Sequence, residues 1–392
     1  MHYRRFGKLD FKASGLGFGA MRLPVIGNAI DEAQALAMIR YAIDNGVNYV
    51  DTAYPYHGGE SEGLVGRALK DGYREKVKVA TKLPCWDVKT RADFDTFLDR
   101  QLARLSMDSV DFYLLHSLNG DSWARMRDLG VLDWAEKAMA QGRFQHLAFS
   151  FHGDFDAFKA IVDAYDWPMV QIQYNFADPD AQAGARGLRY AASKGAAVVI
   201  MEPLFGGKLV NPPAVVQELW DSVGTKRACV DWALRWLWNQ PEVSMVLSGM
   251  SSMEQTRENV ALAADPDCGV LTRDETALFD RVRAAYKGLT VIPCTACGYC
   301  MPCPRGVDIP GNMAAYNEGF AFDKPDGARG QYSWWKYAYE VQHILDHDVR
   351  AARCEQCGDC NDKCPQGIPV SKWMTVIDSV LGNGKPWVTQ VE

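Results

Sequence analysis

The residues best able to do chemistry in this chain fall into two sets. In the first, Asp51, Tyr56, Lys82 and His116 each stand at or just beyond the end of a short β-rich run. Taken singly, each has a plain structural reading as a cap, a turn residue or a packed aromatic. Together they suit the reduction of a carbonyl. Charge gathers on the carbonyl oxygen, a Tyr hydroxyl beside Lys82 has its pKa lowered and supplies the proton, Asp51 keeps Lys82 charged and in place, and His116 orients the oxygen with a hydrogen bond. The second set is Cys294, Cys297, Cys300 and Cys303, then Cys354, Cys357, Cys360 and Cys364. These are eight of the 11 cysteines; Cys85, Cys229 and Cys268 stand alone. In an intracellular chain such clustering reads as metal ligation rather than as disulfides.

The elements that must position the first set repeat from Ser14 to about Lys287, where β-rich runs alternate with helical patterns. Eight runs stand out, near 15–19, 47–51, 77–82, 111–116, 146–150, 169–173, 197–201 and 243–248. Eight βα units in succession predict an α/β fold, a closed (β/α)8 TIM barrel, in which reacting groups gather where strands end and loops begin. The first helix after a strand shows the signals. Asp31 with Gln34 makes a capping pattern, Ala35, Met38, Ile39, Ala42 and Ile43 share one face, and Gly46 ends the run. A second starts at Thr90 and places Phe94, Phe97, Leu98, Leu102 and Leu105 at the same period.

Around residues 288–293 this rhythm stops, and no strand alternation follows. We place the domain boundary there: residues 1–290 form the barrel, and 291–392 form a small, mainly α-helical module with a helical insert over 332–347 between the cysteine runs. Trp334 and Trp335 are expected to pack over the cysteine sites or the barrel. At 392 residues with 48% hydrophobic composition, the chain can bury both cores. The 42 Lys and Arg against 49 Asp and Glu leave a net charge of -7 with no basic block, which argues against nucleic acid and anionic membrane as partners. No apolar run reaches a membrane-spanning length, and Arg4 and Arg5 are followed by no apolar signal segment, so a soluble, cytoplasmic location is expected.

The stretch DTAYPYHGGESEG from Asp51 resembles the signature of the aldo-keto reductase family, in which an Asp precedes the catalytic Tyr by five residues. That spacing selects Tyr56 over Tyr54. The resemblance continues in LGFGAMRLP from Leu16, TKLPCW from Thr81, YLLHSLN from Tyr113, QIQYN from Gln171 and SGMSSMEQTRENV from Ser248, in order along the barrel. It implies a nicotinamide cofactor lying across the barrel mouth and a small-molecule carbonyl substrate, with Tyr56 as acid, Lys82 and Asp51 tuning it and His116 orienting the substrate. It further implies that Ser150 and Gln171 bind the carboxamide, that Met201 lies against the nicotinamide, and that Gly19, Met21 and Arg22 border it. Gly206, Gly207 and Lys208 would approach the pyrophosphate, Leu204, Ser248 and Gly249 would complete the lining, and Glu258 and Asn259, opening the last barrel helix, would contact the adenine. The sequence departs from the family at Met201, where an aromatic residue is usual, at Phe151, where an Asn follows the carboxamide Ser, and at Gly249, where a cation reads the 2′-phosphate. The cofactor is therefore NADPH or NADH, with a flavin as a third option. Trp86 and Phe151 are expected to form an apolar wall of the substrate pocket.

The cysteine runs, each closed by Pro304 or Pro365, resemble those of bacterial ferredoxins that hold two 4Fe-4S clusters. The resemblance implies one set of Cys294, Cys297, Cys300 and Cys364 and another of Cys354, Cys357, Cys360 and Cys303. The first run is one residue short between Cys300 and Cys303, and structural zinc is the competing reading. A cluster passes single electrons while nicotinamide passes a hydride. The leading expectation is an oxidoreductase whose clusters exchange electrons with a flavin, a ferredoxin or another electron-transfer protein. The alternatives are an ordinary carbonyl reductase with structural clusters, and a non-enzymatic redox sensor.

Overall fold

All eight expected runs are strands of one closed parallel barrel. In this computed structural model, residues 1–27, 29–265, 269–294, 296, 298–322, 325–341, 345–364 and 366–391 are described. A first hairpin pairs β1 (Tyr3–Arg5) with β2 (Lys12–Ser14), and a second pairs β4 (Val25–Ile26) with β5 (Ala29–Ile30). The barrel takes β3 (Leu16–Gly19), β6 (Tyr49–Asp51), β7 (Lys78–Leu83), β8 (Val110–Leu118), β9 (Phe144–Phe151), β10 (Met169–Gln173), β11 (Ala197–Met201) and β12 (Val243–Ser248). Each strand neighbours the next, and β12 closes onto β3 through Val246 opposite Leu16.

Side chains alternate along a strand, so one set fills the lumen and the other meets the helices. The lumen is packed by Tyr49, Ala80, Phe112, Leu114, Ala148, Met169, Ala197, Val199, Met245 and Leu247, with Phe6 of the first hairpin among them. Continuing the same parity toward the strand C-termini reaches Asp51, Lys82, His116, Ser150, Gln171 and Met201. The lumen therefore changes from apolar to polar at one end, the C-terminal end of the strands, where (β/α)8 barrels place their reacting groups.

The helices follow the sequence pattern. In Glu32–Asp44 the Asp31 side chain accepts a bond from the Gln34 amide at 3.1 Å, and Ala35, Met38, Ile39, Ala42 and Ile43 are buried. In Ala92–Leu105, Phe94, Leu98, Leu102 and Leu105 are buried, and Phe97 is partly so. Each fully buried apolar side chain of this kind contributes roughly 1.5–3 kcal/mol.

The chain divides into two compact units: Met1–Gly207 with Arg227–Thr276, and Lys208–Lys226 with Ala277–Glu392. The second contains the helices Ile309–Ala321, Pro325–Glu340 and Val370–Ile377, and no strand among its described residues. Its apolar core gathers Ile292, Val307, Met313, Tyr316, Tyr332, Ile368, Trp373 and Ile377, against which several cysteines pack. Trp335 packs partly into this core, whereas Trp334 is about half exposed.

Candidate active site and cysteine centres

Adjacent strands bring the tetrad together. Asp51 ends β6, Lys82 lies in β7 and His116 in β8, while Tyr56 opens the turn Tyr56–Gly59 directly after β6. Lys82 is fully buried, and its Nζ donates to Asp51 Oδ1, to the Thr52 carbonyl at 2.8 Å and to the Tyr56 hydroxyl at 3.2 Å. The Tyr56 and His116 rings meet edge to face at 5.9 Å, and the Trp86 ring lies 5.0 Å from that of His116. Tyr54, the other tyrosine of the motif, is turned elsewhere: its hydroxyl accepts from Arg100 at 2.7 Å and its ring sits against Arg104.

Burial and the ion pair set the proton positions. Burial pushes the Tyr56 hydroxyl up and Lys82 opposes it, with a net upward shift. The net direction is opposite to the lowering expected from the sequence. Burial works against the Lys82 ammonium, but the Asp51 carboxylate beside it holds its pKa up. His116 is pushed well below its usual range by burial and then by Lys82. It is thus a neutral imidazole, able to donate a hydrogen bond without titrating.

Beneath the tetrad lies a buried network that sequence reading passed over. Glu62 is fully buried and accepts from Thr81 Oγ1 at 2.7 Å, Gln101 Nε2 at 2.8 Å and Arg104 Nη1 at 3.2 Å. Gln101 also donates to the Lys82 carbonyl at 2.9 Å, and Tyr113 donates to Gln101 at 2.7 Å. The network fixes the backbone that carries Lys82. The available signal was Glu62, the second of the two acidic residues in GGESEG, too polar for the helix face it occupies.

The residues expected to hold the cofactor are partly assembled. Gln171 Nε2 donates to Asp51 Oδ2 at 3.2 Å, while its Oε1 is buried with no partner. Ser150 Oγ accepts from the Ser117 amide at 2.8 Å and keeps its own proton to donate. An unpaired buried acceptor beside a free hydroxyl donor fits a carboxamide, which presents both complementary groups. Gly19 has Ser248 O 3.3 Å from where a Cβ would stand, so a larger residue would have to push the neighbouring strand end aside by a few tenths of an ångström. Gly206 and Gly207 take φ of 66° and 91°, and a Cβ on Gly207 would meet nothing within 4 Å, leaving backbone open to a ligand.

Several expectations are relocated by the structure. Lys208 belongs to the second unit and pairs there with Glu318. In the first unit the exposed Arg22 has no hydrogen bond or ion pair among the described residues. Its stem lies 3.3 Å from the Cβ position of Gly249, and Nη2 lies 3.7 Å from that of Gly206. A cation thus stands beside Gly249 in space although none occupies that position in sequence. Met201 ends β11, Leu204 is half-buried and Met21 is exposed. Ser252 caps the last barrel helix, Met253–Ala264, so Glu258 and Asn259 lie in its middle rather than opening it. Glu258 is exposed, while Asn259 is buried and donates to Ser248 at 3.0 Å. Phe151 is fully buried against Phe149 and Phe158, in the helix-facing core rather than in a pocket wall. Cys85 is buried and its thiol is pushed up to about 12, a packed and inert group.

In the second unit the thiols surround two cavities. Cys303, Cys354, Cys357 and Cys360 line one, together with Cys300, Arg305 and Lys363. Cys294, Cys300 and Cys364 line the other, with Ile309, Met313, Ile368 and Val370. Cys297 lies outside the described residues. The two runs have one local geometry. The amide of Ala296 donates to Cys294 Sγ and that of Gln356 to Cys354 Sγ, both at 3.4 Å. Ala296 and Gln356 take φ of 53° and 57°, and Gly298 and Gly358 take 77° and 86°. Cys303 lies with Cys354, Cys357 and Cys360 of the second run despite the shortened spacing. Among the described residues no three such ligands converge where a single ion would sit. Thiols spread about a cavity, with amides donating to sulfur, fit an iron-sulfur cubane better than one zinc ion.

A polar tetrad at the mouth of a parallel barrel, joined to a cysteine-lined helical module, defines the class. The chain belongs to the aldo/keto reductase family, which matches residues 15–283, and a 4Fe-4S dicluster domain matches residues 293–369. It is an oxidoreductase. Over 310 residues it is 27% identical to L-galactose dehydrogenase of Arabidopsis thaliana, covering 73% of this chain and 96% of that one. It is 25% identical over 304 residues to the NADH-specific methylglyoxal reductase of Escherichia coli (strain K12), covering 65% and 91%. Among solved structures, aldo-keto reductase AKR11C1 from Bacillus halodurans (holo form) shares the fold with a TM-score of 0.60 at 24% identity, covering 72% and 96%. No helix of the described residues is long and apolar enough to cross a membrane.

Proposed function

We propose that the barrel, read as residues 1–290, reduces a carbonyl of a small molecule at Asp51, Tyr56, Lys82 and His116. The 291–392 module would hold two 4Fe-4S clusters that relay single electrons to or from a flavin or a ferredoxin-like partner. When bound, the nicotinamide supplies a hydride and the clusters supply electrons one at a time. The chain's own residues do the rest. His116, neutral and buried, holds the carbonyl oxygen. Tyr56 gives up its proton as that oxygen gains charge, and the buried Lys82 ammonium, kept charged by Asp51, stabilises the phenolate left behind.

Ser150 and Gln171 would fix the carboxamide. Gly206 and Gly207 would admit the pyrophosphate, with Arg22 rather than Lys208 bringing positive charge to that turn. NADH and NADPH both suit this lining, and the Escherichia coli relative's NADH preference favours testing NADH first. Reduced thiols as ligands suit the cytoplasm. The observation carrying the reading is the bond from Lys82 Nζ to the Tyr56 hydroxyl at 3.2 Å, with Asp51 on the same nitrogen.

The test is Tyr56→Phe, assayed anaerobically on a panel of aldehydes and ketones with NADH, NADPH and reduced ferredoxin as donors. We expect turnover to fall by about 10²–10⁴-fold with every productive donor. Unchanged turnover with all three would remove the tetrad from the reaction. Iron, sulfide and flavin analysis of the same preparation reports the cluster and flavin content.

A further inference from the structure

We propose that His57 is a positioning residue: it holds the arch that carries Arg22 through a bond that only the neutral imidazole accepts, so that nicotinamide affinity weakens as the ring takes up a proton. The inference rests on the reading of a nicotinamide site at the barrel mouth and gives that site a pH-dependent clasp.

The arch is residues 20–23, which follow the C-terminal end of β3. Met21 and Arg22 are exposed, while Ala20 and Leu23 on either side of them are buried. Ala20 is fixed twice, since its amide donates to the Asp51 carbonyl at 2.8 Å and its carbonyl accepts from Ser61 Oγ at 2.9 Å. At the other end the Leu23 amide donates to His57 Nε2 at 3.1 Å. Arg22, whose side chain lies beside the Cβ positions of Gly206 and Gly249, is thus carried by an arch with two kinds of anchor. A carbonyl and a hydroxyl keep their state across neutral pH; an imidazole does not.

A backbone amide can only donate. Nε2 therefore presents a lone pair, and the one proton of the ring sits on Nδ1. A second proton would set N–H against N–H and break the bond. Burial holds the pKa of His57 below its ordinary 6.5, with the Met21 carbonyl working in the opposite direction. The bond is thus complete above pH 6.5 and is lost as pH falls through the lowered value. The titratable and charged groups on the surrounding elements are Arg22 on the arch, Tyr54 and Tyr56 in the same turn, Glu60 and Glu62 of Glu60–Ala68, Arg100 and Arg104 of Ala92–Leu105, and Asp51 with Lys82 behind Tyr56. Glu62 pairs with Arg104 and Asp51 with Lys82, and none of these groups displaces His57 as burial does.

The backbone points the same way. His57 takes φ 51° and ψ 45°, a left-handed conformation uncommon for a residue with a side chain. Glycine would adopt it freely. What histidine adds there is the acceptor for Leu23, in the turn that also carries Tyr56.

The experiment measures Kd for NAD+ and for NADP+ by quenching of tryptophan fluorescence in the anaerobically prepared full-length protein, from about pH 8 to about pH 5, a range that spans the imidazole titration. The oxidised cofactors are the probes because they survive acid. Wild-type protein is compared with His57→Gln, which keeps an acceptor of similar reach but does not titrate, and with His57→Gly, which relaxes the backbone and has no acceptor. We expect the wild-type Kd to rise about fivefold as pH falls, the loss of one hydrogen bond. His57→Gln should keep the tighter Kd at every pH, and His57→Gly the weaker one. Titration of the cofactor's own phosphates cancels in the comparison with His57→Gln. A wild-type Kd that does not change with pH, or one that rises equally in His57→Gln, overturns the proposal and leaves the nicotinamide site standing. Binding in His57→Gln as weak as in His57→Gly also overturns it. Wild-type protein that binds neither cofactor at any pH overturns the nicotinamide reading, and this proposal with it.

Discussion

The barrel mouth and the cysteine module hold their reactive groups in opposite ways. Around Lys82, every polar neighbour is a protein group: Asp51, Tyr56 and Thr52 bond its nitrogen, while Gln101 and Glu62 fix its backbone. Asp51, Lys82 and Tyr56 are held by one another. Around the cysteines, the amides of Ala296 and Gln356 donate to sulfur, and the thiols line two clefts beside a small apolar core. Here the bound group would be part of the core. One site spends its polar bonds on itself, whereas the other keeps its ligands for what it holds, so the two regions should differ in how they respond to loss of a ligand.

The largest effect expected from that difference lies in the module. Removing the clusters with an anaerobic iron chelator should melt the helices Ile309–Ala321 and Val370–Ile377, because cluster binding is coupled to folding there. Circular dichroism should show a share of the helical signal lost, with the remainder melting at nearly its original temperature. Retention of the whole signal would break the comparison. Cys303→Ser and Cys364→Ser sharpen it: each should lower bound iron by about half, and each should remove a different cluster signal in electron paramagnetic resonance.

A smaller effect follows in the barrel from Glu62→Ala, which leaves Thr81, Gln101 and Arg104 facing an empty buried site. Denaturant unfolding of the barrel should lose about 3 kcal/mol, with kcat falling as the strand under Lys82 loosens. A loss confined to surface-mutation size would mean that the network positions nothing.

Smaller again is a pH dependence. His116 titrates at 6.5 in its ordinary state and well below that when buried, so the unfolded chain binds a proton that the folded one refuses. Its contribution to stability is complete above pH 6.5 and is lost as pH falls below that value, at up to about 1.4 kcal/mol per unit. His116→Asn should flatten the barrel's stability profile on the acid side. His2 and His146, also shifted down by burial, keep part of the slope. The smallest effect should be that of Tyr54→Phe. It removes only the bond from Arg100, and kcat should stay within about threefold of wild type; a loss as large as that of Tyr56→Phe would overturn the assignment between the two tyrosines.

Much of the scaffold was legible in the sequence because it rests on local rules. The alternation that marked residues 169–173, 197–201 and 243–248 gave three strands to the residue, and the buried stripe Ala35, Met38, Ile39, Ala42 and Ile43 matched in full. Boundaries moved where chain ends fray or a bulge intervenes, as in β8 and β9, which run beyond their expected limits. What was missed depends on contacts remote in sequence. Glu62, Gln101 and Tyr113 meet only once the helices Glu60–Ala68 and Ala92–Leu105 pack on β7 and β8. Phe151 read as pocket lining because it neighbours Ser150, yet a strand sends neighbours to opposite sides.

The sequence by itself determined which residues could donate a proton and which could ligate iron. Residue type sets chemistry, and short spacings such as Cys294 to Cys300 survive in any fold. Only the tertiary structure decided which partners others met: Lys208 on Glu318, Arg22 beside Gly249, and Glu62 with Gln101 beneath Lys82. Those choices depend on distances across the fold, and they are fixed by packing that no short stretch of chain encodes.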